Sequence, residues 1–116
     1  MSDITTLDRY QVEALRTAAL SPDITMRRAV LGLGIAGESG EVADLIKKEL
    51  GHGHETDYQR IAKEIGDVLW YVATLADAYG YSLSEIASLN IAKLKARYPD
   101  GFSSVNSINR EDQNAL

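Results

Sequence analysis

The chain has 116 residues, 45% hydrophobic and 25% charged, with 12 basic against 17 acidic side chains and a net charge of −5. This is the composition of one globular domain with a single core. The acidic balance argues against a general affinity for nucleic acid backbone, and the absence of cysteine rules out disulfides and thiolate metal sites.

The opening residues Asp3-Ile4-Thr5-Thr6 follow no basic or apolar leader, so no signal peptide is expected. The longest apolar runs, near Ala29–Gly37 and Val68–Ala76, fall far short of the ~20 residues that span a bilayer. A cytoplasmic protein is the expectation.

Hydrophobic periodicity predicts four helices and no strand, an all-α fold. The first runs from Leu7 to Leu20 on apolar Leu7, Val12, Leu15 and Ala19, until Ser21-Pro22-Asp23 breaks it. The second runs from Met26 to Leu50 along Leu31, Ile35, Val42, Leu45 and Ile46, and stops at Gly51-His52-Gly53-His54. The third runs from Asp57 to Tyr79 along Ile61, Ile65, Val68, Val72, Leu75 and Tyr79, with Thr56 and Gln59 as a capping box and Gly80 at its end. The fourth runs from Leu83 to Tyr98, opened by Ser82 and Glu85 and stopped by Pro99. Residues 1–102 read as the domain. Residues 103–116 read as a polar, irregular tail.

The short link between the second and third helices favours antiparallel neighbours. Each carries two carboxylates three residues apart: Glu38 and Glu41, then Glu64 and Asp67. That spacing puts both members of a pair on one helix face. Glu38 falls in the apolar stripe between Ile35 and Val42, whereas Glu41, Glu64 and Asp67 lie on flanks, with Tyr71 beside Asp67. One reading makes these solvated edge charges, with pairs such as Lys63 and Asp67. The other makes them converge, in which case mutual repulsion calls for a cation. The donors are all oxygen, which suits Mg²⁺, or Mn²⁺ as its substitute. A Glu-x-x-His string at Glu49–His52 straddles Gly51 at a helix end, a poor frame for the di-iron alternative. His52 and His54 read as loop residues facing solvent.

On the last helix Asn90, Lys93 and Arg97 lie within ~60° of arc. The row suits phosphate oxygens, or else snorkelling side chains on the surface. Gly32-Leu33-Gly34-Ile35-Ala36-Gly37 matches G-x-G-x-x-G but has no strand before it and no βαβ unit, so it is not a dinucleotide fingerprint. Its small residues fit close helix packing instead. Trp70 points away from the core stripe and is expected to pack on another helix. Tyr71 is a candidate substrate contact.

Taken together, Glu38-x-x-Glu41, Glu64-x-x-Asp67 and Asn90-x-x-Lys93-Leu94-x-x-Arg97-Tyr98-Pro99 resemble the MazG-like branch of the all-α nucleoside triphosphate pyrophosphohydrolases, over residues 7–102. The resemblance implies a helical bundle completed by dimerisation, as a homodimer or homotetramer. It also implies Mg²⁺-dependent hydrolysis of a nucleoside triphosphate to the monophosphate and pyrophosphate, by attack of water at the α-phosphorus. By the motif match Glu38, Glu41, Glu64 and Asp67 hold Mg²⁺, with Glu38 and Glu41 as the candidate catalytic carboxylates, and Asn90, Lys93 and Arg97 face the nucleotide. Base and sugar preference stay open. The competing readings are a non-catalytic helical dimerisation module, a nucleotide sensor that does not hydrolyse, and a phosphoribosyl-ATP pyrophosphohydrolase.

Overall fold

A computed structural model describes residues 3–55 and 57–109. They form five α-helices, α1 (Leu7–Leu15), α2 (Ile24–His52), α3 (Tyr58–Ala78), α4 (Leu83–Arg97) and α5 (Ser104–Ile108), with no β-strand among the described residues. The chain divides into two compact units, one reaching to Leu83 and the other beginning at Ser84.

Side-chain oxygens set most of the helix starts. Thr6 Oγ1 accepts from the amide of Arg9 at 3.1 Å, and Asp23 Oδ1 accepts from Thr25 at 2.9 Å and Met26 at 3.3 Å. Asp57 Oδ1 accepts from the Gln59 amide at 3.0 Å, so Asp57 is the N-cap of α3 in place of the expected Thr56, which lies outside the described residues. Each cap satisfies an amide that has no partner inside its own helix. α3 ends in a Schellman turn: Gly80 takes φ +82, the Tyr81 amide donates to Ala76 O and the Gly80 amide to Asp77 O, both at 2.9 Å.

α1 stops at Leu15, five residues short of the expected Leu20, and tertiary contacts explain why. To continue the helix, the Ala18 amide would need the carbonyl of Ala14. That carbonyl already accepts from Trp70 Nε1 at 3.2 Å, from Thr17 Oγ1 at 2.8 Å and from the Thr17 amide at 3.0 Å. The Ala18 amide turns instead to Leu15 O at 3.2 Å. The expected irregular tail also needs correction. Ser103 Oγ accepts from the Asn106 amide at 3.3 Å and opens the short helix α5; residues 110–116 lie outside the description.

Within the first unit α2 packs against α3, and α1 packs against α3. The fully buried large side chains are Leu31 and Thr74, and the rest of the core is small: Ala14, Ala73, Ala76 and Ala78, with Leu83 beside them. These alanines lie on α1 and on the C-terminal half of α3, the stretch gripped from both sides. The apolar stripes read from periodicity are only half right. Leu31 is buried, but Ile46, Ile65 and Tyr79 are exposed. On α1 the buried positions are Gln11 and Ala14, while Leu7 and Val12 are exposed.

Candidate metal centre

Three contacts define how α2 and α3 meet. Arg28 Nε donates to Ala78 O at 3.1 Å, with its guanidinium 4.3 Å from the centroid of Tyr79. The Tyr71 ring lies against Gly34. Further along, Glu38 meets Asp67 and Glu64. Rising numbers on α2 therefore meet falling numbers on α3, so the pair is antiparallel. Leu31 and Thr74 share a level, Gly34 faces Tyr71, Glu38 faces Asp67, and the same register sets Glu41 level with Glu64. Beyond them Leu45 and Lys48 share a cavity with Asp57, Arg60 and Ile61.

The α2 positions in this seam are Leu31, Gly34, Glu38, Glu41, Leu45 and Lys48. They step by three and four in turn, the spacing of the seam positions in a helical coiled coil. Carboxylates thus stand where apolar seam residues would ordinarily pack. One carboxylate oxygen from each of Glu38, Glu64 and Asp67 lies within 4.8 Å of the other two. Glu38 and Glu64 are half-buried, and Glu41 and Asp67 exposed. Glu41 is outside the three-residue cluster, but its charge reaches Glu38.

The electrostatics separate Glu38 from an ordinary surface acid. Among the described residues none of the three carboxylates forms an ion pair, and the Lys63–Asp67 pairing weighed above is not made. Nearby Asp44 behaves as a solvated charge does: Lys48 Nζ is 2.8 Å away and Lys47 Nζ 3.4 Å, and the hydrogen bond from Lys48 holds its pKa low. Glu38 is pushed the other way. Loss of solvent raises its pKa first, then the charges of Asp67, Glu64 and Glu41. Close negative charges without a counter-charge are the donor set a hard divalent cation fits, since all donors are oxygen and the ion removes the repulsion. Neither His52 nor His54 belongs to the cluster; both are exposed, with rings 6.3 Å apart.

Aromatic side chains line the next turn. Tyr71 meets Trp70 edge to face at 5.0 Å. Trp70 packs on α1 as expected, with Nε1 donating to Ala14 O at 3.2 Å and to Thr17 Oγ1, just past the end of α1, at 2.8 Å. A residue absent from the sequence reading also feels the site. Tyr10, on α1, has a pKa raised by burial and then by the charge of Asp67. Nothing in the local sequence marks it, because α1 reaches this region only through its packing on α3.

The cavity at the closed end of the α2–α3 pair, about 190 Å³, is lined by Leu45, Lys48, Glu49, His54, Glu55, Asp57, Arg60 and Ile61. Its acids and bases nearly balance, so its charge alone selects no ligand.

The remaining sequence candidates sit on α4, in the second unit. Asn90 and Lys93 are exposed. Arg97 is buried, its guanidinium 5.8 Å from the centroid of the Tyr98 ring.

A chain whose described residues are helical and whose α2 and α3 bring Glu38, Glu64 and Asp67 together is a candidate hydrolase of the metal-assisted kind. Comparison with known proteins gives the family. The family model for the MazG nucleotide pyrophosphohydrolase domain matches residues 28–102, and the chain belongs to that family. It is similar to the Gene 37 protein of Mycobacterium phage L5, 34% identical over 103 residues that cover 82% of this chain and 90% of that protein. No solved structure matches significantly.

Proposed function

We propose that this chain is a Mg²⁺-dependent nucleoside triphosphate pyrophosphohydrolase acting in the cytoplasm, with residues 1–102 as its domain. Its reaction joins a water oxygen to the α-phosphorus of an NTP or dNTP and breaks the bond to the bridging oxygen of the β-phosphorus. The products are the nucleoside monophosphate and pyrophosphate. The observation that carries this reading is the convergence of Glu38, Glu64 and Asp67 in the α2–α3 seam, inside the span that matches the family.

Glu38, Glu64 and Asp67 would hold Mg²⁺, with Glu41 joining them from the level of Glu64. The ion, with Mn²⁺ as its substitute, supplies charge neutralisation for the triphosphate and acidifies water. Of the four carboxylates, Glu38 and Glu41 are the candidate bases. Lys93 and Arg97 would hold the charge of the departing pyrophosphate, since guanidinium and ammonium groups both suit phosphate oxygens. Asn90 would contact the nucleotide, and Tyr71 would wall the site beside Asp67.

The functional form in this proposal is a homodimer or homotetramer that completes an antiparallel helical bundle. Its support is the apolar face of α2, where Met26, Val30 and Leu33 follow helical spacing and are 54%, 54% and 74% exposed. A lone chain seldom leaves such a row in water.

The test is incubation with a panel of NTPs, dNTPs and phosphoribosyl-ATP plus Mg²⁺, with products resolved. Monophosphate and pyrophosphate are expected from at least one substrate. Glu38→Gln and Asp67→Asn are each expected to abolish turnover while the helical circular dichroism survives. Release of orthophosphate would change the reaction class. Binding without any product would make the chain a nucleotide sensor.

A further inference from the structure

The structure contains glycines of two kinds. Gly53, Gly80 and Gly101 take positive φ at turns, a conformation that accounts for glycine there. Gly34 lies inside α2 with no such requirement, and glycine in a helix interior costs about 1 kcal/mol relative to alanine. A different feature sets it apart from its neighbours. A Cβ added at Gly32, Gly37 or Gly40 meets nothing within 4 Å, whereas one added at Gly34 would overlap three carbons of the Tyr71 ring. On its other contact the ring meets Trp70 edge to face at 5.0 Å, and Trp70 is itself held by hydrogen bonds from Nε1 to Ala14 O and Thr17 Oγ1.

The consequence lies one turn away. Glu38 follows Gly34 by four residues on α2, and Asp67 precedes Tyr71 by four on α3, an axial step of about 6 Å on each helix. Three carboxylates whose oxygens lie within 4.8 Å repel one another, and without a cation that repulsion drives the helices apart. Something must hold α2 and α3 at this separation. We infer that Gly34 is a positioning residue for the carboxylate cluster: the space left by its missing Cβ seats the Tyr71 ring, and that seat sets the approach of α2 to α3 at Glu38 and Asp67. The inference rests on the metal reading of the cluster and adds the residue that shapes it.

The experiment measures Mn²⁺ binding to the full chain by electron paramagnetic resonance, with circular dichroism to verify the fold. G34A is expected to weaken Mn²⁺ binding about tenfold, the scale of lost support around metal ligands, while G32A binds as the wild type does. Y71F keeps the ring and is expected to keep the affinity. Y71A is expected to weaken binding, and the G34A/Y71A double variant to match Y71A, because a methyl at position 34 has nothing to strike once the ring is gone. Wild-type affinity in G34A, within twofold, overturns the positioning role and leaves the metal reading standing. No Mn²⁺ binding by the wild type overturns the metal reading and this inference with it. Should G34A not fold, Y71A and the double variant decide: equal affinities support the seat, and a further loss in the double variant overturns it.

Discussion

Replacing Gln11 isolates the joint that holds α1 to the helix carrying Glu64 and Asp67. Gln11 is only 7% exposed. Its Nε2 donates to Ala73 O at 3.0 Å and Tyr81 O at 3.1 Å, and its Oε1 accepts from the Leu83 amide at 3.1 Å. The side chain thus uses both donors and its acceptor. In Gln11→Ala the Ala73 carbonyl sits inside α3 and keeps its helical environment. The Leu83 amide opens α4 and has no partner within that helix, and Leu83 is buried. A buried polar group left unsatisfied costs about 1–3 kcal/mol, and each lost methylene adds about 0.8 kcal/mol. The expected total is about 3 kcal/mol. For a chain of 116 residues, unfolding entropy converts each kcal/mol into about 4 °C of melting temperature, so the midpoint should fall by about 12 °C. Gln11→Met keeps the volume and removes the hydrogen bonds, and should lose about two-thirds of that. Gln11→Glu keeps the acceptor but turns a carboxylate toward two carbonyls, so its loss should exceed that of Met at neutral pH and shrink on acidification. Thermal melts followed at 222 nm read all three. A midpoint for Gln11→Met within about 4 °C of wild type would refute the reasoning, because the amide would then be filling space rather than bonding.

Two further outcomes concern Glu38 and Trp70. Between the ordinary carboxyl pKa of 4.5 and the raised native value of Glu38, the native state binds more protons than the unfolded state. Stability from this group is therefore greatest at low pH and falls as pH rises through that window. Without added metal, Glu38→Gln should melt progressively higher than wild type as pH climbs from 4.5 towards neutrality, and added Mg²⁺ should narrow the difference. A gap that stays constant with pH would contradict the assignment. Trp70→Phe removes the bonds to Ala14 O and Thr17 Oγ1 and should cost about 1 kcal/mol. It also frees one claim on the Ala14 carbonyl, so hydrogen exchange at the Ala18 amide should slow. Unchanged or faster exchange there would mean that competition for this carbonyl does not end α1.

Much of the fold could be read directly because local chemistry decided it. The ends of α2 and α3 lie within two residues of the expected ones, since Asp23, Asp57, Gly53 and Gly80 act through their own backbones and caps. The end of α1 could not be read, because it depends on Trp70, more than fifty residues away in the chain. The core was misjudged for a related reason. Periodicity ranks large apolar residues first, yet where α3 is clasped between α1 and α2 only small side chains fit. Ala73, Thr74, Ala76 and Ala78 are buried there, and Ile65 and Tyr79 are not.

The site divides along the same line. Spacing alone places Glu38 with Glu41 and Glu64 with Asp67, because a helix of 3.6 residues per turn puts i and i+3 on one face. It says nothing about which member of one pair meets which member of the other. That depends on the antiparallel register, in which Glu38 faces Asp67 and joins Glu64, and in which Gly34 meets Tyr71 one turn away. Residue types and intervals therefore determined the helices and the acidic character of the seam, being properties of short stretches of chain. Tertiary structure alone decided which carboxylates converge, that Tyr10 lies within range of Asp67, and that α1 ends early, because each depends on backbone segments distant in sequence meeting at close range.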